Sequence, residues 1–328
     1  MSEHRSPDLE LAEQAGPGAP PERTAAQKAR VRQMTVFTHR RPSDTIAALQ
    51  ELIARAAAAG VTIRLDAEET SKHRIGPGPG VLTDAPVSDD VELCIVLGGD
   101  GTILRALQLY AGSEVPVFAV NYGEIGFLAT VEPLELRDGL DRAFRGDFEL
   151  LRLPAIVLET PHAQPRAPDS GSPADGSPVA RPFGINDVAI HRKVGERVAE
   201  IAYALEGEIV GSVRCDGLVI STPAGSTGYN LANGGPVMAW GVEGFVVSFI
   251  APHSLTARAL VVAPGDRLTI HNHSHEPLDV AVDGRPAGEI PPSSSIDARF
   301  VDAVGTIAQL PGSSFYRRLR EKFGRLAR

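Results

Sequence analysis

The chain has 328 residues, with 32 Lys and Arg against 41 Asp and Glu for a formal net charge of −9; 43% of residues are hydrophobic and 22% charged. At roughly 100–200 residues per domain, that length predicts two domains with cores of their own and excludes a small stapled module. The acidic balance argues against a general nucleic-acid binder, whose phosphate affinity needs clustered cations. No apolar stretch reaches the roughly 20 residues that cross a bilayer, so no membrane role is expected. The N-terminus lacks the basic and apolar regions of a secretory signal, so the expected location is cytoplasmic. Two cysteines, Cys94 and Cys215, exclude a disulfide framework and a zinc site of several thiolates.

Residues 1–30, rich in Ala, Pro, Gly and Glu, read as a disordered tail. Val31–Thr38 predicts a strand. Ser43 then offers an N-cap to a helix with Ile46, Leu49, Leu52, Ile53 and Ala56 on one face, and Gly60 ends it. A strand at Val61–Leu65 follows. The wholly apolar run Leu93–Leu97 suits a strand buried on both faces. After it come Gly98–Thr102, a helix from Ile103 to about Tyr110, a strand at Val115–Val120 and a helix at Leu134–Phe144. This alternation predicts a Rossmann-like α/β domain over residues 31–145.

From 146 to 300 the pattern turns to alternating segments: Leu153–Leu158, Gly184–His191, Val198–Glu206, Ile209–Arg214, Leu218–Thr222, Phe245–Ile250, Arg267–His271 and Leu278–Val282. They predict a second, β-rich domain. Residues 161–182, full of Pro, Ser, Gly and Asp, read as a disordered insertion. Over 301–328 a strand at Gly305–Leu310 and an amphipathic helix are expected to return to the first domain. That helix sets Phe315, Leu319, Phe323 and Leu326 beneath a solvated basic face of Arg317, Arg318, Arg320, Lys322, Arg325 and Arg328.

The sharpest chemical signal is Gly98-Gly99-Asp100-Gly101-Thr102 between a buried strand and a helix. Ligands of α/β sheets bind beyond the carboxyl ends of the strands, where glycines let phosphate oxygens approach backbone N–H groups at a helix N-terminus. A carboxylate there repels a polyphosphate unless it binds Mg²⁺ or takes a proton from an attacking hydroxyl, which points to a kinase. The alternative is a tight turn in which Asp100 caps the helix. The run Asp216–Tyr229 ends a strand in hydroxyls and glycines and reads as a polar binding loop, with a plain turn as the alternative. Ser226 is too far past the strand for a nucleophile elbow. Asn186-Asp187, before an alternating strand, suits a base edge or a ribose diol, though turn chemistry explains such a pair equally well. His271, His273 and His275 lie in a hairpin connection and read as solvated, so no metal site is assigned to protein ligands alone.

Taken together, Gly98–Thr102, Asn121–Leu128, Asn186-Asp187, Asp216–Tyr229 with Gly234-Gly235-Pro236, and Pro252–Leu255 resemble the NAD kinase family. The resemblance implies a Rossmann-like α/β domain followed by a β-sandwich, homodimers or homotetramers, and transfer of the ATP γ-phosphoryl group, with Mg²⁺ or another divalent cation, to the 2′-hydroxyl of the adenosine ribose of NAD. By it, Asp100 is the proton acceptor with Gly101 beside it, and Arg105 contacts a phosphate. Asn186 and Asp187 meet the adenosine of NAD. Arg197, Arg214 and Asp216 fall at nucleotide-contacting positions, and Thr227, Gly228, Tyr229, Asn230, Leu231 and Ala232 match the binding loop. Asp187 is one methylene shorter than the family's usual Glu, Gly228 replaces a common Ala, and Arg285 stands where a Gln is often found. Inorganic polyphosphate is an alternative donor. A lipid kinase shares the Gly-Gly-Asp-Gly core but lacks the Asp216–Tyr229 loop, and a nucleotide sensor without turnover is the reading from a different class.

Overall fold

A computed structural model describes residues 24–25, 30–124, 126–159 and 182–324. The expected tail, apart from residues 24, 25 and 30, lies outside them, as do residue 125, residue 160, the insertion apart from residue 182, and the basic residues Arg325 and Arg328.

The first strand, β1 (Thr24–Ala25), pairs antiparallel with β7 (Glu149–Glu159). The α/β part begins with β2 (Gln33–Thr38), α1 (Ile46–Ala59), β3 (Thr62–Arg64), α2 (Ala67–His73) and β4 (Val81–Leu82). It continues through β5 (Leu93–Gly98), α3 (Asp100–Leu109), β6 (Val117–Asn121) and α4 (Leu136–Phe144). Strands β4-β3-β2-β5-β6 are hydrogen-bonded in that order and all parallel. Alternation along β5 explains why its apolar run is continuous. Leu93, Ile95 and Leu97 pack with Leu49, Leu52, Leu140 and Phe144 of α1 and α4, whereas Cys94 and Val96 pack with Ile103 and Leu107 of α3. Both faces of the sheet are thus covered by helices, as a parallel sheet requires.

The N-cap position of α1 is Thr45, not Ser43, because Pro42–Asp44 first forms a 3₁₀ turn, and the Thr45 side chain makes no capping bond. Gly60 ends it in the left-handed region at φ 69°.

The second half contains β8 (Phe183–Gly184), β9 (Asp187–Arg192), β10 (Ala199–Leu205), β11 (Glu208–Cys215), β12 (Gly217–Ser221) and the short α5 (Tyr229–Ala232). Then come β13 (Phe245–Ile250), β14 (Leu260–Val262), β15 (Leu268–Asn272), β16 (Leu278–Val282), β17 (Arg285–Ile290), β18 (Ser295–Gln309) and α6 (Phe315–Phe323). One antiparallel sheet has the order β14-β13-β12-β9-β16-β17. It packs on β10, β11, β15 and the first half of β18 through an apolar core that includes Ile190, Leu218, Phe245, Ile201 and Ile270.

The fifteen-residue β18 joins the halves. Its first part pairs with β15, Asp297–Val301 and Gly305–Gln309 pair with β7, and Ile307 pairs parallel with Val117 of β6. The sheet of the first domain therefore continues into the second, and α6 returns to the first. Phe315 is buried beside Leu104 and Trp240, and removing such a side chain from water contributes about 1.5–3 kcal/mol. Both cysteines are buried and free. No helix among the described residues is long and apolar enough to cross a membrane.

Candidate active site

The Gly-rich turn is shaped by contacts that only glycine permits. A Cβ on Gly98 would lie 2.7 Å from the Thr102 side chain, and Gly99 and Gly123 meet so closely that a Cβ on Gly123 would lie 2.7 Å from the Gly99 Cα. Gly126, at φ 65°, leaves no room for a Cβ against the Asn121 amide. Gly101 differs: a Cβ there would meet nothing within 4 Å, because the residue borders open space.

That space is a cavity of about 690 Å³ between the first domain and the β16–β17 turn. Gly99, Gly101 and Thr102 form its floor, and Arg40, Lys72, Arg105 and Arg285 contribute positive charge. Two of these cations are already engaged. Arg105 makes a bidentate pair with Glu68 at 3.0 and 2.6 Å, and Lys72 binds the buried Glu69 at 2.7 Å and the Thr38 carbonyl at 3.1 Å. The Arg40 charge also acts on Glu68, and Arg285 begins β17 at the cavity's edge, where both guanidinium groups can meet an anion.

Asp100 opens α3 between two glycines of this lining without itself lining the cavity. Oδ2 and Oδ1 accept from the N–H groups of Phe127 (3.3 Å) and Leu128 (3.2 Å). Burial pushes its carboxyl above the ordinary range, while the two N–H groups and the cations Lys322 and Arg318 pull the other way. Leu128 and Ala129 share an apolar cluster with Ile185 and Ala224 of the second domain's loops.

Those loops dock on each other. The Asn186 carbonyl accepts from the Thr222 N–H (2.9 Å) and the Ser221 hydroxyl (3.2 Å), and a Cβ on Gly225 would lie 2.0 Å from it. The Asn186 Oδ1 is buried with no protein partner, an acceptor left over for something else. Tyr229, partly exposed, stacks on His191 with ring centroids 5.7 Å apart. Burial, with the charges of Asp187 and Asp216, raises its hydroxyl's pKa. Asp187 is pushed up to about 7, first by burial and then by Asp283.

Asp283 is the residue that sequence reasoning missed. It occupies the tip of the β16–β17 hairpin at φ 45°, followed by Gly284 at φ 74°. Its carboxylate accepts from the N–H groups of Ile185, Asn186 and Asp187 at 3.0, 2.8 and 3.1 Å, and from the Gln108 amide of α3 at 2.8 Å. It thereby fixes the acceptor pair to the helix that carries Asp100. The Asp-Gly step between two strands was the available signal, and it reads equally well as an ordinary hairpin turn.

Other expected residues are distributed unevenly. Arg197 and Arg214 are exposed and make no side-chain bond to the other site residues; Asp216 is paired instead with Arg192 at 2.6 Å, which lowers its carboxyl's pKa. Asn230 is wholly buried and gives its amide hydrogens to the Ser226 and Pro236 carbonyls, so it holds the loop together rather than facing the site. Thr227 and Leu231 are partly exposed and Gly228 and Ala232 exposed, on the turn around α5. The solvated basic face expected of α6 is corrected at Arg318, which is drawn inward to the carbonyls of Phe127 and Ala129 and lies over the Trp240 ring, 5.2 Å from its centroid.

Residues 25–148 match the family model of the ATP-NAD kinase N-terminal domain, and residues 185–301 match that of the ATP-NAD kinase C-terminal domain. The chain belongs to the ATP-NAD kinase family. The NAD kinase of Gemmatimonas aurantiaca is 34% identical over 290 residues, spanning 88% of this chain and 94% of that protein. NAD kinase 2 of Streptomyces coelicolor is 34% identical over 236 residues, 72% and 74% of the two chains. In fold, the chain is similar to yeast NADH kinase crystallised with NADH, with a TM-score of 0.75 at 22% identity over 90% and 89% of the chains. An Archaeoglobus fulgidus NAD kinase in complex with ATP gives a TM-score of 0.64 at 21% identity over 90% and 98%. Both ATP-NAD kinase domains are therefore present here, in that order along the chain.

Proposed function

We propose that this protein is an NAD kinase that transfers the γ-phosphoryl group of ATP to the 2′-hydroxyl of the adenosine ribose of NAD, giving NADP. The observation that carries the reading is Asp283, which ties the Asn186-Asp187 pair of one domain to the helix that bears Asp100 in the other, at the wall of a cation-lined cavity. The donor's phosphates belong in that cavity, against Gly101 and the guanidinium groups of Arg40 and Arg285, with Arg105 one turn further along α3. The adenosine of NAD belongs on the other side, against Asn186, Asp187, Asp216 and the Thr227–Ala232 turn, with Arg197 and Arg214 at its margin. The hydroxyl oxygen attacks the γ-phosphorus, its proton passes to the Asp100 carboxylate, and ADP leaves with the electrons of the broken P–O bond.

Among the described residues no group of three or more His, Cys, Asp or Glu side chains converges to form a metal site. Both Asp100 oxygens accept backbone N–H groups, so the described residues hold no assembled ligand set for Mg²⁺, and an ion carried in on a nucleotide would keep waters and phosphate oxygens as its ligands. When bound, the ion neutralises phosphate charge. The same reading keeps residues 31–145 as the donor-side domain, 146–300 as the acceptor-side domain and 301–328 as the returning segment, in a cytoplasmic homodimer or homotetramer.

Incubation with Mg·ATP and NAD, followed by an NADP-specific dehydrogenase, tests the function. Sustained multiple turnover supports it, while ligand binding without product supports a sensor. Arms with NADH and with polyphosphate establish acceptor and donor choice.

A further inference from the structure

We propose that Arg318, on the C-terminal helix, is a positioning residue for Asp100, gripping the far side of the peptide unit whose N–H holds the Asp100 carboxylate. The inference rests on the reading of Asp100 as proton acceptor. The Phe127 carbonyl and the Leu128 N–H belong to one peptide group. Arg318 Nη1 donates to that carbonyl at 2.9 Å and also to the Ala129 carbonyl, while the Leu128 N–H donates to Asp100 Oδ1 at 3.2 Å. A cation drawing on the carbonyl oxygen polarises the peptide and strengthens its N–H as a donor, as in any hydrogen-bond chain. It also fixes the plane of the peptide, and with it the direction from which Asp100 is held.

A second line runs from α6 to the same turn. Lys322 pairs with Glu132 at 3.0 Å, and Glu132 accepts from the Asn121 amide at 3.0 Å. The Asn121 Oδ1 accepts from the Gly123 N–H at 3.0 Å, and Gly123 packs on Gly99, the residue before Asp100. The Phe323 ring meets Phe127 with centroids 5.5 Å apart. Docking of the helix does not depend on the guanidinium, because Phe315 and Leu319 already enter the apolar cluster beside Trp240. Holding a particular backbone segment, rather than covering a surface, is what the Arg318 contacts add.

Among the described residues, the cations whose charge acts on Asp100 include Lys322 and Arg318 of α6, with Glu132 of the segment after β6 paired to Lys322. Loss of the Arg318 charge therefore lets burial raise the Asp100 carboxyl further; loosening of the helix would withdraw Lys322 as well, so the shift counts only where Tm is unchanged.

The test is a double-mutant cycle of Arg318→Gln with Asp100→Asn, read as kcat, KM for NAD and for ATP, and the acid limb of the kcat–pH profile. Arg318→Gln is expected to lower kcat about tenfold with both KM values within about twofold, since small displacements of a reacting group cost rate more than binding. Its acid limb should move to higher pH. In the Asp100→Asn background the same change should cost less than about twofold, the non-additivity of groups that act as one. An unchanged kcat, an unmoved acid limb, or an equal loss in both backgrounds overturns the proposal. Turnover that survives Asp100→Asn alone overturns it too and identifies the reading of Asp100 as the part that failed. If Arg318→Gln undocks the helix, seen as a collapse of Tm, Arg318→Lys keeps the charge but on a shorter stem, without the planar guanidinium that lies over Trp240 and aims Nη1 at the two carbonyls. It should lower kcat roughly threefold with the acid limb in place, and a wild-type kcat overturns the proposal.

Discussion

Replacing Asp187 by Asn separates the charge of this side chain from its shape. Burial, reinforced by the neighbouring Asp283 carboxylate, lifts the Asp187 carboxyl from 3.8 to about 7. The folded pKa is the higher one, so the folded state holds the proton more tightly than the unfolded chain does. Stability linked to this group is therefore fully present below about pH 4 and is lost as pH rises to about 7. The gap between the two values caps the loss at about 4 kcal/mol, and relaxation around a partly exposed carboxylate brings the expected range to about 1–4 kcal/mol. An amide matches the protonated acid in size but never ionises. The unfolding free energy of Asp187→Asn relative to wild type should thus climb between about pH 4 and 7 and level off above. Urea unfolding of both proteins across that window measures it. NAD affinity supplies the functional half: an ionised carboxylate is the better acceptor for a ribose hydroxyl or adenine amino group, so wild-type binding should tighten through about pH 7 while the variant's stays level. A stability difference that is flat with pH would refute the argument, because it would mean that Asp187 is not held protonated by its surroundings.

Two glycine substitutions probe the two sides of the site in opposite ways. Gly101→Ala adds a methyl that meets no protein atom within 4 Å, so Tm should hold while KM for ATP rises roughly tenfold, the scale of a lost close phosphate contact; an unchanged KM would remove the donor from this cavity. Gly225→Ala drives a Cβ to within 2.0 Å of the Asn186 carbonyl, so calorimetry should show a destabilisation of about 2 kcal/mol or more together with weakened NAD binding, and a wild-type melting curve would mean that the two loops do not pack as described.

Much of this arrangement was legible because its causes are local. The run Leu93–Leu97 is apolar because both its faces are buried, and Gly60 stands where a left-handed residue must end a helix. What escaped was determined at a distance or at an edge. Strand β17, Arg285–Ile290, is exposed at every residue but the last, so it carries no apolar alternation to detect. Helix α2, AEETSKH, is polar because the residue it buries is Glu69, held by Thr38 and Lys72. Asp216 finds Arg192 rather than Arg197 or Arg214, a choice made by the pairing of β9 with β12. Arg318 looks like one more cation on a solvated face until the loop about 190 residues earlier in the chain folds against it.

The central claim is that the Asp100 carboxylate takes the proton from the attacking hydroxyl. The direct measurement is kcat for NADP formation by Asp100→Asn at saturating Mg·ATP and NAD, with binding of both nucleotides measured by calorimetry on the same preparation. The amide keeps the shape and cannot accept the proton, so kcat should fall roughly 10²–10⁴-fold with both affinities within a few-fold of wild type. A kcat close to wild type, with NAD binding weakened instead, would show that Asp100 binds substrate and that the proton goes elsewhere.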